Sequence, residues 1–168
     1  MDELESLLSG GDRRSLGASQ TLLSNINSQK QFDKLFSFLN HQDRLVVMRA
    51  SDVAEKVTIA KPEYLKKHKA GMIRLGQSAK DAELIWHLAP MFSRVEWTKE
   101  EIKDVWKLLA KWLGDSKQSR IVRTFSLQAM YDLSRIHTER ELPFTKLVAE
   151  VWKENIPSLN ARIRKLKL

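Results

Sequence analysis

Residues 43–50 read Asp-Arg-Leu-Val-Val-Met-Arg-Ala, and residues 119–126 read Ser-Arg-Ile-Val-Arg-Thr-Phe-Ser. In both stretches a residue that favours a helix N-cap precedes an arginine, a pair of branched apolar residues and, at the eighth position, a small residue. Apolar residues three and four positions apart are typical of a helix with one buried face. The two stretches therefore predict equivalent helices, each with a small residue that lets a neighbouring helix approach closely.

The helical period extends over most of the chain. There are only six glycines and four prolines, and no segment alternates apolar and polar residues over the length of a strand. Pro62 and Pro143 are expected to begin helices, since a missing N–H costs nothing there. Gly76 and Gly114 are expected to end helices. The sequence predicts about ten helices joined by short polar connections.

Two segments have the spacing of a capping box, in which Ser or Thr is followed three residues later by Glu or Gln. One is Ser28 with Gln31, and the other is Thr98 with Glu101. A further helix is expected over residues 117–137. These signals place helix beginnings at three points of the chain.

Small residues recur at a spacing that suggests a repeat. Ala18, Ala50, Ala89 and Ser126 are separated by 32, 39 and 37 residues. A period near 37 residues fits one helical hairpin per repeat, because a single hairpin cannot cover its own apolar face and stacked hairpins can. We therefore predict one helical-repeat domain over residues 1–168, with repeats near 2–27, 28–60, 61–95, 97–138 and 141–168.

The segment 43–50 resembles the second helix of a HEAT repeat of the armadillo-type superhelix, in which an acidic cap precedes a valine, an arginine and an alanine. Residues 119–123 are similar to the same pattern. The resemblance implies an all-α fold, a right-handed α-α superhelix of about five HEAT-like hairpins. It also implies a non-enzymatic scaffold that presents a concave helical face to a protein partner. The alternative is a non-repetitive helical bundle with a similar spacing.

The resemblance also implies that polar residues early in the second helices face the bound partner. The arginines at these positions are Arg44, Arg49, Arg120 and Arg123. Guanidinium groups match carboxylates and phosphates well. The alternative is a structural ladder, in which Arg44 or Arg49 forms an ion pair with Asp43, Asp52 or Glu83.

Charge is unevenly distributed along the chain. The chain holds 29 Lys and Arg and 21 Asp and Glu, with a net charge of −1 over residues 1–60 and +9 over residues 61–168. A stripe of lysines every four residues follows one face of a predicted helix: Lys99, Lys103, Lys107 and Lys111. The basic region 61–168 predicts a second possible function, binding of nucleic acid through its phosphate backbone. The alternative is a solvated outer face.

Five tryptophans are present. Trp106, Trp112 and Trp152 fall on apolar helix faces and are expected in the core. Trp86 and Trp97 fit those faces less well, so we expect them to be exposed and able to stack on a ligand.

A third possible function follows from the resemblance. Some HEAT-like proteins are DNA glycosylases that use a pair of tryptophans and an aspartate against alkylated DNA. Trp112 together with Asp115 is similar to part of that arrangement, although the chain is shorter than those enzymes. A DNA-glycosylase-like repair enzyme is therefore the remaining alternative.

Signals of catalysis, cofactors and metals are missing from the sequence. The chain has no cysteine, no two histidines four residues apart, no glycine-rich phosphate loop and no Gly-x-Ser-x-Gly motif. We therefore predict no catalytic, cofactor or metal site. The longest apolar run is far below the ~20 residues that cross a bilayer, and the acidic N-terminus differs from a signal peptide. We expect a soluble cytoplasmic protein with no membrane association.

Overall fold

The structure, a computed structural model, describes residues 3–9 and 22–168. Every regular element in these residues is helical, so the prediction of an all-α fold is confirmed. The α-helices are α1 (Glu3–Ser9), α2 (Gln29–Ser37), α3 (Arg44–Ala60), α4 (Lys69–Ser78), α5 (Ala82–Ser93), α6 (Glu101–Gly114), α7 (Arg120–Ile136), α8 (Glu141–Lys153) and α9 (Pro157–Lys165).

Short 3₁₀ helices connect several of them, at Phe38–Asn40, Pro62–His68 and Thr138–Arg140. Residues 22–25 are also helical. Residues 10–21 of the first predicted repeat, which include the aligned Ala18, lie outside the described residues.

The chain divides into two compact units. The first lies within Met1–Val95, where α3 packs against α1, α2 and α5. The second spans Glu96–Leu168, where α6 and α7 form the main helix pair and both pack against α8, while α9 packs on α7 and α8. The boundary between the units coincides with the boundary between the third and fourth predicted repeats.

Two capping motifs form as their sequence spacing predicts. The Thr98 N–H donates to Glu101 Oε2 over 2.9 Å, and the Glu101 N–H donates to Thr98 Oγ1 over 3.2 Å. Ser28 Oγ likewise accepts from the Gln31 N–H, but the Gln31 side chain accepts from the N–H of Asn27 rather than that of Ser28. Each cap gives partners to backbone donors that the first helical turn leaves free.

Three predicted helix boundaries differ from the structure. Gly76 lies buried within α4, which continues to Ser78, so this glycine does not end the helix. The predicted helix over 117–137 begins at Arg120, because the side chain of Asp115 accepts from the Lys117 N–H and holds a turn before it. Pro143 is the third residue of α8 rather than its first, a position that still requires no N–H.

The small residues that defined the repeat are fully buried where they are described. Ala50, Ala89 and Ser126 are each 0% exposed. Ile163, one further period along the chain, is 2% exposed. These positions therefore lie where helices pack closely, as the spacing argument requires.

None of the helices in the described residues combines the length and the apolar character needed to cross a membrane.

Candidate functional site

Arg44 is tied to acidic residues of its own unit. Its guanidinium group lies 2.8 Å from Asp81 and 2.8 Å from Glu83. The hydrogen bond to Glu83 raises the pKa of Arg44 above its ordinary value. This is the ladder predicted as the alternative, in which Arg44 pairs with Glu83.

Arg49 is buried, with 4% of its surface exposed. Its Nη1 donates to the backbone carbonyl of Leu8 over 2.8 Å. That carbonyl lies in the last turn of α1, where helix carbonyls lack intrahelical partners. Arg49 therefore joins α3 to α1, and the expectation that it faces a bound partner is wrong because its donors are directed inward.

Arg123 is more deeply buried, at 1% exposure. Its Nε donates to the carbonyl of Leu113 over 2.7 Å, and its two terminal nitrogens donate to the two carboxylate oxygens of Glu154 over 2.7 and 2.8 Å. These hydrogen bonds lower the pKa of Glu154. Arg123 thus connects the ends of α6 and α8, and it too is directed inward rather than toward a partner.

Arg120, like Arg44, is exposed, and it lies at the start of α7. It lines a shallow pocket of about 470 Å³ together with Phe125 and Pro157. Arg44 and Arg49 belong to the first unit, and Arg120 and Arg123 to the second. In each unit one of the two predicted arginines is buried and the other lies at the surface, so the four predicted arginines do not form exposed pairs.

The lysine stripe is exposed as predicted: this holds for Lys99, Lys103, Lys107 and Lys111. Lys103 forms an ion pair with Glu100 at 2.7 Å. The other three have no ion-pair partner among residues 3–9 and 22–168. Trp106 and Leu109 of the same helix are buried on its opposite side.

The tryptophans are distributed differently from the prediction. Trp97 is only 6% exposed and belongs to the core, so the expectation of an exposed stacking platform is wrong there. Trp86 is half-buried. Trp106 and Trp112 are buried as expected, whereas Trp152, expected in the core, is 41% exposed.

The structure places the two residues compared with a glycosylase site in different environments. Trp112 is 4% exposed within the core of the second unit. Asp115 is exposed, and one of its carboxylate oxygens holds the turn before α7. The pair therefore offers neither a free aromatic face nor an aspartate directed into a pocket.

Trp152 forms part of an apolar groove in the second unit, which we call the Trp152 groove. The groove encloses about 470 Å³. It is lined by Thr145, Val148, Ala149, Trp152 and Lys153 of α8 and by Ile163 and Leu168. Its size is typical of sites that bind an apolar ligand or side chains of a partner.

The C-terminal turn of α9 places Leu168 in this groove. The Leu168 N–H donates to the carbonyl of Ile163 over 3.2 Å, and the Lys167 N–H donates to that of Arg164 over 3.1 Å. Lys167 has a positive φ of 57°. These features define a Schellman motif, which brings the residue after the turn against the residue five positions before it. Leu168 and Ile163 thereby form one wall of the groove.

Two basic side chains, Lys153 and Arg164, lie at the groove. The guanidinium carbon of Arg164 lies 5.3 Å from the centre of the Trp152 ring, a cation–π distance. Lys153 lines the groove and forms an ion pair with Glu150 at 2.7 Å. The chain from residue 155 to 168 holds four basic residues and no acidic residue. The groove therefore combines an apolar floor with a positive rim.

The sequence pattern misses this groove for a clear reason. Trp152 lies eight residues after Phe144 and four after Val148, positions that share one helix face. Phe144 and Val148 are buried, at 1% and 6% exposure, while Trp152 at the end of the same face is not. Sequence periodicity identifies the apolar face of the helix, but it does not show where neighbouring helices stop covering that face. The basic residues that follow in the sequence were the one feature that could have indicated an exposed binding surface there.

Among residues 3–9 and 22–168, no group of three or more His, Asp or Glu side chains is placed to hold a metal ion. No protein-family model, curated protein or solved structure matches the chain.

Proposed function

We propose that the chain is a non-enzymatic binding module built of HEAT-like helical hairpins, and that it binds a protein partner through the Trp152 groove. The observation that carries the proposal is the apolar groove itself, with a tryptophan 41% exposed at its edge. Tryptophan and arginine are the residues that most often dominate the free energy of protein binding. Here Arg164 lies against the ring of Trp152.

Polar contacts between successive predicted hairpins support a repeat architecture within each unit. In the first unit, Asp33 contacts His68 and Arg94 contacts Glu55, over 35 and 39 residues of sequence. In the second unit, Arg162 donates to Gln128 across 34 residues. Contacts at one repeat spacing are expected when each hairpin packs on the next. The five-hairpin right-handed superhelix stays a prediction, as does its concave binding face.

The exposure of the groove also favours binding over an internal role. Trp152 and Leu168 leave its apolar surface partly open in the described part of the chain, at 41% and 46% exposure. An open apolar patch with a polar rim is typical of interaction sites.

A library of helical peptides displayed on phage tests this proposal. The full chain and the variant Trp152→Glu are immobilised and panned in parallel. We expect peptides that bind the wild-type chain and bind Trp152→Glu at least about tenfold more weakly, because the variant places an unpaired charge in the apolar groove. The affinities are checked by titration calorimetry.

Leu142→Glu is the matched control. Leu142 lies on the same helix, is 65% exposed and does not line the groove. The control should bind the enriched peptides as tightly as the wild-type chain. Enrichment of no peptide, or equal binding to wild type and Trp152→Glu, contradicts the proposal.

The exposed lysine stripe favours a second candidate function, nucleic-acid binding through the phosphate backbone. Lys99, Lys107 and Lys111 have no ion-pair partner among residues 3–9 and 22–168, and all four ammonium groups of the stripe are exposed. Such a stripe attracts phosphates without reading sequence.

A further inference from the structure

We infer that the ligand of the Trp152 groove is an acidic amphipathic helix of a partner protein. This inference rests on the proposed function and specifies the chemistry of the partner. It follows from three properties of the groove: the apolar side chains on its floor, the paired backbone of its walls and the positive charge around it.

The floor of the groove matches aliphatic and aromatic side chains. Val148, Ala149 and Ile163 provide aliphatic surface, and the Trp152 ring provides an aromatic edge. These surfaces gain free energy by removing apolar atoms from water. They offer little to a phosphate or to the polar edge of a base, so the groove favours a protein ligand over a nucleic acid.

The walls of the groove favour a helix over an extended strand. Thr145, Val148, Ala149 and Trp152 lie inside α8, where backbone N–H and C=O groups are already hydrogen-bonded to one another. A bound strand would find no main-chain partners along this wall, whereas a helix satisfies its own backbone. Residues 145–152 span about 10 Å of helix, which accommodates roughly two turns of a partner.

The charge around the groove favours an acidic partner. Arg164 and Lys167 flank two lining residues, Ile163 and Leu168. Two carboxylates near this end of α8 are paired, Glu150 with Lys153 and Glu154 with Arg123, so the net positive charge at the groove comes from Arg164 and Lys167. A second copy of the chain would bring the same positive segment onto itself, so self-association through the groove is disfavoured by repulsion.

Two synthetic peptides of about 18 residues provide the probe. Both carry leucines on one helical face, and the remaining positions are glutamate in one peptide and lysine in the other. Binding of the fluorescein-labelled peptides to the full chain is measured by fluorescence anisotropy at about 50 and 200 mM salt. We expect the acidic peptide to bind at least about tenfold more tightly at the lower salt, and the difference to narrow at the higher salt.

Two variants connect this preference to the groove. Trp152→Ala should weaken binding of the acidic peptide about tenfold, since truncation of a large aromatic residue in a binding site often has this effect. The double variant Arg164→Glu/Lys167→Glu should reverse the preference, so that the basic peptide binds more tightly. Lys30→Glu/Arg74→Glu is the matched control: both residues are exposed, both lie in the first unit, and this variant should keep the wild-type preference. Circular dichroism confirms that each variant is folded.

The outcomes separate the inference from the proposed function. If both peptides bind equally and both depend on Trp152, the acidic specificity is wrong while the binding function stands. If neither peptide binds and the phage library yields groove ligands of another kind, the same conclusion follows. If a single-stranded oligonucleotide displaces the acidic peptide at lower concentration than unlabelled peptide does, the groove is a nucleic-acid site and the inference fails. Concentration-dependent dimerisation abolished by Trp152→Ala would identify a second copy as the occupant and also overturn it.

Discussion

Arg123 is a buried cation whose hydrogen bonds connect three helices. It belongs to α7, donates to Leu113 at the end of α6, and forms a two-point ion pair with Glu154 just after α8. The guanidinium group is 1% exposed, whereas the Glu154 side chain is 31% exposed. The arginine therefore loses more hydration on folding than Glu154 does, and its hydrogen bonds to Leu113 and Glu154 offset the free-energy cost of that loss. Removing either partner leaves a buried polar group without compensation.

We predict that Arg123→Met lowers the free energy of unfolding by about 3 kcal/mol, because it leaves the Leu113 carbonyl and the Glu154 carboxylate without their donor. Glu154→Gln should have a smaller effect, since an amide still accepts one hydrogen bond. Urea denaturation followed by circular dichroism measures both. If Arg123→Met lowers the free energy of unfolding by less than about 1 kcal/mol, the ion pair stabilises the protein no more than an exposed surface ion pair does.

Asp33 is the centre of a polar cluster in the first unit. It accepts a hydrogen bond from Gln29 over 2.8 Å, lies 2.8 Å from Nε2 of His68 and pairs with Lys67. Burial acts to raise the pKa of Asp33, but the hydrogen bonds from Lys67, Gln29 and His68 outweigh it and lower the pKa from 3.8 to about 2. The His68 ring also stacks on Phe36, with ring centres 4.1 Å apart.

The lowered pKa of Asp33 predicts a pH-dependent contribution to stability. The folded state favours the ionised carboxylate, so the stabilisation is complete above the unfolded pKa near 4 and is lost as the pH falls toward 2. We expect Asp33→Asn to lower the melting temperature at pH 5, and the difference from wild type to shrink toward pH 2. Thermal unfolding followed by circular dichroism at the two values measures it.

Asp104→Asn, at an exposed position of α6, serves as the control, and its difference from wild type should stay small at both pH values. An Asp33→Asn difference that stays constant from pH 5 to pH 2 would contradict the assignment of a lowered pKa to Asp33.

At the scale of the element, α6 separates an apolar face from a basic one. Its buried side carries Ile102, Val105 and Leu109, each 0% exposed. The lysines recur on the opposite side, so they add charge without disturbing the core. The Thr98–Glu101 capping box fixes where the helix begins and therefore which residues face outward.

The nucleic-acid hypothesis makes a prediction about this helix. Replacing the stripe Lys99, Lys103, Lys107 and Lys111 with glutamate should abolish binding to a mixed-sequence DNA or RNA duplex at about 50 mM salt. Wild-type binding should weaken steeply between about 50 and 200 mM salt, because phosphate contacts release counterions. Electrophoretic mobility shift or anisotropy measures it, with Lys30→Glu as the control outside the basic region. Binding unchanged by the four substitutions, or absent from the wild-type chain, would leave the stripe as a solvated surface.

The helix ends of the second unit shape its surface as much as the helix faces do. Asn155 follows α8 with a positive φ of 53°, a conformation that asparagine tolerates better than most residues. It redirects the chain from α8 into α9. The Schellman motif after α9 then directs Leu168 back toward Ile163. Two residues with left-handed backbone conformations, Asn155 and Lys167, thus bring the two sides of the Trp152 groove together.

For the whole molecule, the division into units changes the interpretation of its charge. By sequence, the positive charge is confined to residues 61–168, at +9. By structural unit, Met1–Val95 holds 14 basic and 11 acidic residues, a net charge of +3, and Glu96–Leu168 holds 15 and 10, a net charge of +5. Both units are positive, so a contribution of net charge to the proposed binding would come from each unit and would weaken with salt.

The sequence by itself determined the helical class, most helix boundaries, the capping boxes and the burial of Ala50, Ala89 and Ser126. The helical class, the boundaries and the caps depend on residues within about four positions of one another, where periodicity and capping chemistry are decisive, while the three small residues were found by their longer spacing. It also indicated the Arg44–Glu83 ion pair as one of two alternatives. The boundaries it missed, at Gly76 and before Arg120, are places where packing or a turn overrides local preference.

Only the tertiary structure decided which side chains are available to a ligand. Arg49 and Arg123 have the same local pattern as a surface arginine, yet each is buried by helices that lie far away in sequence. For the same reason Trp97, which we expected to be exposed, is buried, and Trp152, which we expected in the core, is exposed. Burial depends on what packs over a side chain, and those neighbours lie a repeat length away, beyond the range over which local sequence patterns carry information.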